Sequence, residues 1–257
     1  MPTQHMKVQY CSDLHLEFNE NNQYVYKHPI EPIGEILLLA GDILPFALNP
    51  LKHQFFDVVA DNFEAVYWVP GNHEYYGFDI GKVSVPLFEK LRSNVFLVNN
   101  KSILYKDVNI ICTTLWSHIN PVNEWVVQKS LTDFHAIANN GAPLLPAHFN
   151  SFHQAALSFL KNEIGADRMA RNIVVTHHVP TFLNYPPKYK KSVLNEAFAV
   201  ELHDFILEAD ISYWVYGHHH SNIPSFTIGK TMMLTNQLGY VKNHEHRSYR
   251  RNAIFEI

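Results

Sequence analysis

Residues 65–74 of the chain read AVYWVPGNHE. The five apolar residues at the start, closed by a proline and a glycine, predict a short buried strand. Polar side chains able to bind a metal follow at once, beginning with Asn72. Because glycine tolerates conformations that are closed to other residues, Gly71 permits a sharp turn that directs the next side chains inward. In open α/β sheets ligands bind beyond the carboxyl ends of the strands, so this segment predicts a site at a sheet edge.

Four further segments repeat this arrangement of an apolar strand followed by metal-capable side chains. We expect all five segments to present their ligands at one edge of the same sheet. Since alternate residues of an extended chain point to the same side, neighbours two apart in a segment are expected to reach one ion together. The predicted strand 8–11 precedes Asp13 and His15, and the predicted strand 35–40 precedes Asp42. Later in the chain, strand 173–176 precedes His177, and strand 213–216 precedes His218 and His220.

The chemistry of these segments indicates a catalytic metal site more than a structural zinc site. Carboxylate and amide oxygens mixed with imidazole suit Mn, Fe, Zn, Co or Ni, and no cysteine stands among the polar residues. Each segment alone is a weak signal, because Gly41-Asp42 could be a plain turn and His177-His178 a structural pair. Their occurrence in one order, each directly after an apolar strand, is hard to explain as accident.

The composition and patterning are those of a globular α/β protein. Hydrophobic residues make up 47 % of the 257 residues and charged residues 17 %, which excludes a disordered chain. Two hairpins are predicted, 103–105 with 108–112 and 226–228 with 232–234, and 253–257 predicts a last strand. Apolar residues at helical spacing predict helices over 149–160 and 198–206, with their aromatic residues in the core.

Charge and cysteine content bear on partners and location. The net charge of −4 gives no sign of the basic face that nucleic-acid binding needs, so we expect a small-molecule substrate and no nucleic acid. Cys11 and Cys112 lack the spacing of a redox or zinc motif and are expected to be buried free thiols. Without an apolar stretch of signal-peptide or membrane-spanning length, we expect a cytoplasmic protein with no membrane partner. No stretch resembles a linker, so residues 1–257 are expected to form one domain.

The five segments together resemble the calcineurin-like metallophosphoesterase superfamily. The motifs of that family run Asp-x-His, Gly-Asp, Gly-Asn-His-Asp/Glu, a histidine ending a strand, and Gly-His-x-His, and all occur here in that order between Lys7 and about Gly239. The resemblance implies an α/β fold built as a four-layer sandwich of two mixed β-sheets flanked by helices. It also implies hydrolysis of phosphoric esters.

The resemblance further implies a centre of two divalent metal ions, whose identity it leaves open. In such a centre a hydroxide that bridges the metals attacks phosphorus, because the paired ions bring the pKa of bound water from about 16 toward neutrality. The ligands carried over by motif are Asp13, His15 and His220 for one ion, Asn72, His177 and His218 for the other, and Asp42 for both.

The resemblance assigns His73 as the catalytic residue that contacts the phosphate and protonates the leaving oxygen. Phosphoprotein phosphatases orient this histidine with the second Asp of Gly-Asp-x-x-Asp-Arg-Gly, whereas this chain has Pro45 and Phe46 in place of that Asp and Arg. The departure argues against a phosphoprotein phosphatase and leaves open what orients His73. Glu74 could do so, although a helix cap or a surface position suits it equally well.

Three residues are expected to contact substrate, namely His118, His135 and Tyr185. The two histidines stand in a region that often borders the pocket in the family. Tyr185 belongs to a Tyr- and Pro-rich stretch, 182–189, that would either stack on a ring of the substrate or pack as a stiff surface loop. His178 and His219 adjoin ligands and are expected, by alternation, to face away from the metals.

A metal-dependent phosphoesterase is the function we favour, with a nuclease and a non-catalytic scaffold of the same fold as alternatives. A scaffold should have lost ligands or the catalytic histidine, and this chain retains them. Phosphodiesters are slightly favoured over monoesters, because a monoester dianion needs positive charge beyond the metals. The first arginine of the chain is Arg92, which we predict on a surface helix.

Overall fold

The structure, a computed structural model, describes residues 6–166 and 170–257. Within those ranges, none of the helices is both long and apolar enough to cross a bilayer. The strands in chain order are β1 Lys7–Cys11, β2 Ile36–Ala40, β3 Ala65–Val69, β4 Phe78–Asp79, β5 Leu87–Lys90, β6 Val95–Asn99, β7 Lys101–Tyr105, β8 Val108–Thr113, β9 Ile137–Asn139, β10 Ala142–Pro143, β11 Arg171–Thr176, β12 Tyr213–Val215, β13 Phe226–Ile228, β14 Thr231–Leu234 and β15 Ile254–Glu256. The α-helices are α1 Asn19–Lys27, α2 Gln54–Asn62, α3 Glu124–Ser130, α4 Asp133–Ala136, α5 Pro146–Gly165 and α6 His203–Glu208.

Twelve of these strands form two six-stranded mixed sheets with the same internal plan. The first sheet has the order β15-β1-β2-β3-β6-β5, and the second has the order β13-β14-β12-β11-β8-β7. In each sheet the four central strands are parallel and the two edge strands run antiparallel to their neighbours. The carboxyl ends of the parallel strands are therefore grouped at one edge of each sheet.

The two large sheets face each other across an apolar core. Tyr10 and Leu38 of the first sheet pack in one cluster with Ile110 and Val175 of the second. On the outer face of the first sheet, α2 contributes to a second apolar cluster, and on the outer face of the second sheet α5 and α6 contribute to a third. The predicted four-layer sandwich is confirmed, because helices, sheet, sheet and helices follow one another through the molecule.

Every predicted strand is present, but two other expectations were wrong. The helix expected over 198–206 begins only at His203, because the backbone just before it pairs with Val179 across a β-bridge, which leaves Phe198 outside the helix. Arg92 lies in a turn between β5 and β6 and not on a helix. There its guanidinium binds the carboxylate of Asp57.

Candidate metal centre

The predicted ligands lie at the carboxyl ends of parallel strands from both large sheets. Asp13, Asp42 and Asn72 follow β1, β2 and β3 of the first sheet, whereas His177 and His218 follow β11 and β12 of the second. The expectation that all five segments share one sheet was wrong, since the chain crosses to the second sheet before its last two ligand segments. The site is assembled where the two sheets meet.

One cluster of potential ligands contains Asp13, His15, Asp42 and His220. The Nε2 atoms of His15 and His220 are 3.0 Å apart, and Nε2 of His220 lies 3.3 Å from Oδ1 of Asp13. Oδ2 of Asp42 is 3.6 Å from Nε2 of His15. Imidazole nitrogens and carboxylate oxygens that face one point fit a divalent cation, which each of them can bind through a lone pair.

A second cluster contains Asp42, His177 and His218, with Asn72 beside them. Nε2 of His177 is 3.0 Å from Nδ1 of His218, 3.1 Å from Oδ1 of Asn72 and 3.3 Å from Oδ1 of Asp42. Nδ1 of His177 lies 2.9 Å from the carbonyl oxygen of Ala40 and can donate its hydrogen there. That bond leaves Nε2 as the ligand atom. Asp42 thus contributes one oxygen to each cluster.

The backbone at the predicted ligands is left-handed at five positions, which sequence patterning could not anticipate. The φ angles are 56° at Asp13, 47° at His15, 56° at Asp42, 80° at His218 and 48° at His220. The explanation from alternation in extended chain was therefore wrong: Asp13 and His15 do lie in one cluster, but His218 and His220 lie in different clusters. Non-glycine residues in this region carry a conformational cost of about 1–3 kcal/mol each, and such residues cluster at functional sites.

Two glycines are required here for different reasons. Gly41 has a φ of 87°, and a Cβ there would lie 2.3 Å from Nδ1 of His177. Gly71 needs no left-handed backbone, but a Cβ there would lie 2.2 Å from Oδ1 of Asp42. Both glycines allow the backbone to approach the ligands more closely than any side chain would permit.

Glu74 is buried beneath the site, where it holds two ligand loops together. Neither a surface position nor a role in orienting His73 is therefore observed for this residue. Its Oε2 accepts hydrogen bonds from the backbone N–H groups of Asp42 at 2.9 Å and Gly71 at 2.6 Å. Its Oε1 accepts from the N–H of Ile43 at 2.6 Å and from the indole of Trp68 at 3.1 Å. Burial, together with the charge of Asp42, raises the pKa of Glu74 to about 8.

Replacing Glu74 by glutamine is expected to lower the free energy of unfolding by about 2–5 kcal/mol. The amide group has the same shape, but its NH₂ cannot accept hydrogen bonds, so two buried donors lose their partner. Urea unfolding of wild-type and variant protein measures the change. An unchanged midpoint would show that Glu74 does not hold the loops together.

His73 is oriented by Glu17, a residue that the sequence analysis missed. Nδ1 of His73 lies 3.0 Å from Oε1 of Glu17, and the same oxygen lies 3.0 Å from Nδ1 of His15. The ring of Tyr76 stacks on His73 with centroids 4.1 Å apart. Burial disfavours the charge on Glu17, but hydrogen bonds from the two histidines hold the pKa of its carboxyl below its usual value. The available signal was the position of Glu17, two residues after His15.

Two further acidic residues contact predicted ligands from distant loops. Oδ1 of Asp133 accepts a 2.9 Å hydrogen bond from the amide nitrogen of Asn72, which turns the amide oxygen toward the second cluster. Oε2 of Glu245 lies 2.8 Å from Nδ1 of His220 and can accept its hydrogen. Such contacts fix which ligand atom faces a metal. No local sequence signal points to either residue.

A pocket of about 520 Å³ opens over the two clusters and contains one of the three residues predicted to contact substrate. Tyr185 lines the pocket, as does His219, whereas His178 packs against Trp116 behind the site. His118 and His135 are exposed and do not line it, so the structure does not bring these two residues together with the other predicted site residues. The chain turns them outward, and Ser130, Leu131, Thr132 and Asp133 form that side of the pocket instead.

No lysine or arginine is found among the described residues that line the pocket. Arg92 and Arg171 instead form ion pairs elsewhere, with Asp57 and Asp107. Apart from the carboxylate of Asp42 and the two acidic residues that contact ligands, the lining consists of aromatic, neutral polar and histidine side chains and two leucines. Whatever positive charge the site offers to a phosphate must therefore come from bound metal and from histidine.

Comparison with known proteins agrees with this architecture. The family model described as calcineurin-like phosphoesterase matches residues 6–222. The uncharacterized protein L509 of Acanthamoeba polyphaga mimivirus is 31 % identical over an alignment 277 residues long, gaps included, that covers 97 % of this chain and 96 % of the viral protein. The crystal structure of phosphopantetheinyl hydrolase (PptH) from Mycobacterium tuberculosis superposes with a TM-score of 0.72 at 14 % identity, covering 98 % of this chain and 95 % of that one. At 14 % identity, the superposition shows that the two proteins share a fold and nothing further.

Proposed function

The chain belongs to the calcineurin-like phosphoesterase family and is a phosphoric ester hydrolase, and from that premise we propose that it works through two divalent metal ions and prefers small phosphodiesters. The observation that carries the proposal is the position of Asp42, whose two oxygens face two separate clusters of potential ligands. A carboxylate so placed can bind two cations at once. The donor set suits Mn, Fe, Zn, Co or Ni.

Each predicted ligand is then assigned to one of the two ions or to both. The first ion would be held by Asp13, His15 and His220, the second by Asn72, His177 and His218, and both by Asp42. When bound, two such ions lower the pKa of a shared water toward neutrality and offset the charge that develops on the phosphate.

His73 supplies the proton for the leaving group in this proposal. Its Nδ1–H is held by Oε1 of Glu17, so the Nε2–H faces the pocket, where a leaving oxygen can take the proton. Burial lowers the pKa of His73, but the charges of Asp42 and Glu17 outweigh burial and raise it. A raised pKa favours the protonated ring, which is the form that can act as the acid. Glu17 thereby takes the place of the carboxylate that the family's phosphoprotein phosphatases carry where this chain has Pro45.

The preference for diesters is supported by the charge of the pocket. A monoester dianion carries one more negative charge than a diester, and the described lining offers no lysine or arginine to meet it. For the single charge of a diester, two divalent ions and His73 can suffice without a further cation. The aromatic lining gives room for a second alcohol.

We therefore expect a higher kcat/KM for bis-p-nitrophenyl phosphate than for p-nitrophenyl phosphate under the same metal. Protein stripped of metal and reloaded in turn with Mn, Fe, Zn, Co and Ni should be assayed with both esters. Each rate is compared with the uncatalysed rate of its ester, so that intrinsic reactivity cancels. A preference of tenfold or more for the monoester would contradict the proposal.

A further inference from the structure

Two groups of aromatic side chains line the pocket, one on each side of the candidate metal centre. In the first group, Phe18, Tyr76 and Tyr240, Tyr76 stacks on the ring of His73, the hydroxyl of Tyr240 lies 3.5 Å from Nε2 of His73, and Phe18 packs against Tyr240. The second group, Tyr185, Tyr189 and Phe198, lies on the side of His218 and His219. The first group thus adjoins His73, and the second adjoins His218 and His219.

The second group is built by one continuous stretch of chain and held in place by Asn195. The amide nitrogen of Asn195 donates to the carbonyl oxygen of Tyr189, and its amide oxygen accepts from the hydroxyl of Tyr185 at 3.4 Å. Phe198 stacks on the imidazole of His218 with centroids 4.5 Å apart and planes 22° apart. The pocket side of this group is therefore a fixed aromatic surface that begins at a predicted ligand of the second metal.

The chemistry of this surface selects an uncharged, flat group. Tyr189 and Phe198 are both partly exposed to the pocket, and Leu194 lies between them in sequence and also lines it. The nearest cation in sequence, Lys188, lies over the ring of Tyr189, 4.6 Å from its centre, and does not line the pocket. Aromatic surface of this kind binds rings by stacking and burial.

Resting on the proposed function, we propose that the substrate is a phosphodiester whose retained alcohol carries a planar, uncharged ring that binds against Tyr189 and Phe198. The proton donor His73 lies in the first group, so the leaving alcohol occupies that side and the retained alcohol the other. In the reaction a water oxygen forms a bond to phosphorus and that water releases a proton to solvent, while the bond from phosphorus to the leaving oxygen breaks. The leaving oxygen receives the proton from Nε2 of His73, which is protonated again from solvent. The products are the free leaving alcohol and the monoester of the ring-bearing alcohol.

The test uses two diesters with the same leaving group, methyl p-nitrophenyl phosphate and phenyl p-nitrophenyl phosphate, and the metal-loaded full chain. Relative to the uncatalysed rates, kcat/KM should be about tenfold or more higher for the phenyl diester. Tyr189→Ala should reduce this ratio, with a larger loss on the phenyl than on the methyl diester. The matched control is Phe182→Ala, which removes an exposed ring of the same segment that does not line the pocket and should keep the wild-type ratio.

The possible outcomes separate the two levels of the proposal. Equal corrected kcat/KM for the two diesters would overturn the ring-binding surface while leaving the metal-dependent diesterase intact. A ratio that falls equally in Tyr189→Ala and Phe182→Ala would also overturn it, because the effect would not belong to the pocket. Failure to hydrolyse either diester with any of the metals would overturn the proposed function itself.

Discussion

Replacing Asp42 by asparagine is expected to lower kcat by more than about 10³-fold while the protein stays folded. Asp42 is buried, with one oxygen facing His15 and the other facing His177. The amide has the same shape, but it loses the negative charge and turns an NH₂ toward one of the two clusters. Metal analysis should show the loss of at least one equivalent per chain relative to the wild type.

The matched control for this variant is Asp57→Asn, the same chemical change at an exposed carboxylate on α2. It should retain wild-type metal content and turnover. Full metal occupancy together with normal turnover in Asp42→Asn would contradict the shared-ligand assignment. Unfolding of both variants by urea would show whether any loss of activity reflects loss of the fold.

Replacing His73 by glutamine is expected to leave both metals bound and to reduce turnover by about 10²–10⁴-fold for a diester with a poor leaving group. The loss should be much smaller for p-nitrophenol, which leaves without needing a proton. The side chain of His73 contacts Glu17, Tyr76 and the ring of His15. It belongs to neither of the two clusters that contain Asp42. Turnover of aryl diesters of graded leaving-group pKa measures the dependence.

Glu17→Gln provides the companion to that experiment, because it keeps the shape of the side chain that orients His73. If Glu17 acts through His73, Glu17→Gln should also lose more turnover with poor leaving groups than with good ones, but the loss should be smaller than in His73→Gln. Glu17→Asp should recover part of the lost turnover. Metal content checks the second contact of Glu17, which is with His15. Equal losses in His73→Gln for good and poor leaving groups would assign His73 to phosphate binding and not to proton donation.

The sequence predicted the sheets and the positions of the ligand segments because these signals are local. A buried strand shows as an apolar run, and a polar residue directly after it must lie at the end of that strand. This logic located Asp42 and Asn72 correctly, as it did His177. It overlooked β6, although residues 95–98 are an apolar run of the same kind, and it could not say that the segments belong to two sheets.

The parts that the sequence did not predict depend on contacts between distant segments or on unusual backbone. Asp133 and Glu245 reach Asn72 and His220 from loops far away in the chain, and nothing in their local sequence marks them. The backbone at residues such as Asp13 is left-handed, so side-chain direction there no longer alternates as it does in a strand. The direction of these side chains could therefore not be predicted from strand alternation. Phe198 shows the same limit: its spacing suits a helix, but a β-bridge beside it keeps it at the pocket.

The central claim is that the two clusters around Asp42 hold two metal ions that act together. The most direct test is to titrate metal-free protein with Mn²⁺ while measuring bound metal and hydrolysis of bis-p-nitrophenyl phosphate in the same samples. We expect two equivalents of Mn²⁺ to bind per chain, with activity that appears only as the second one binds. In a crystal of the loaded protein, the two metals should lie about 3.5–4 Å apart. Full activity at one equivalent, or activity that persists in the metal-free protein, would contradict it.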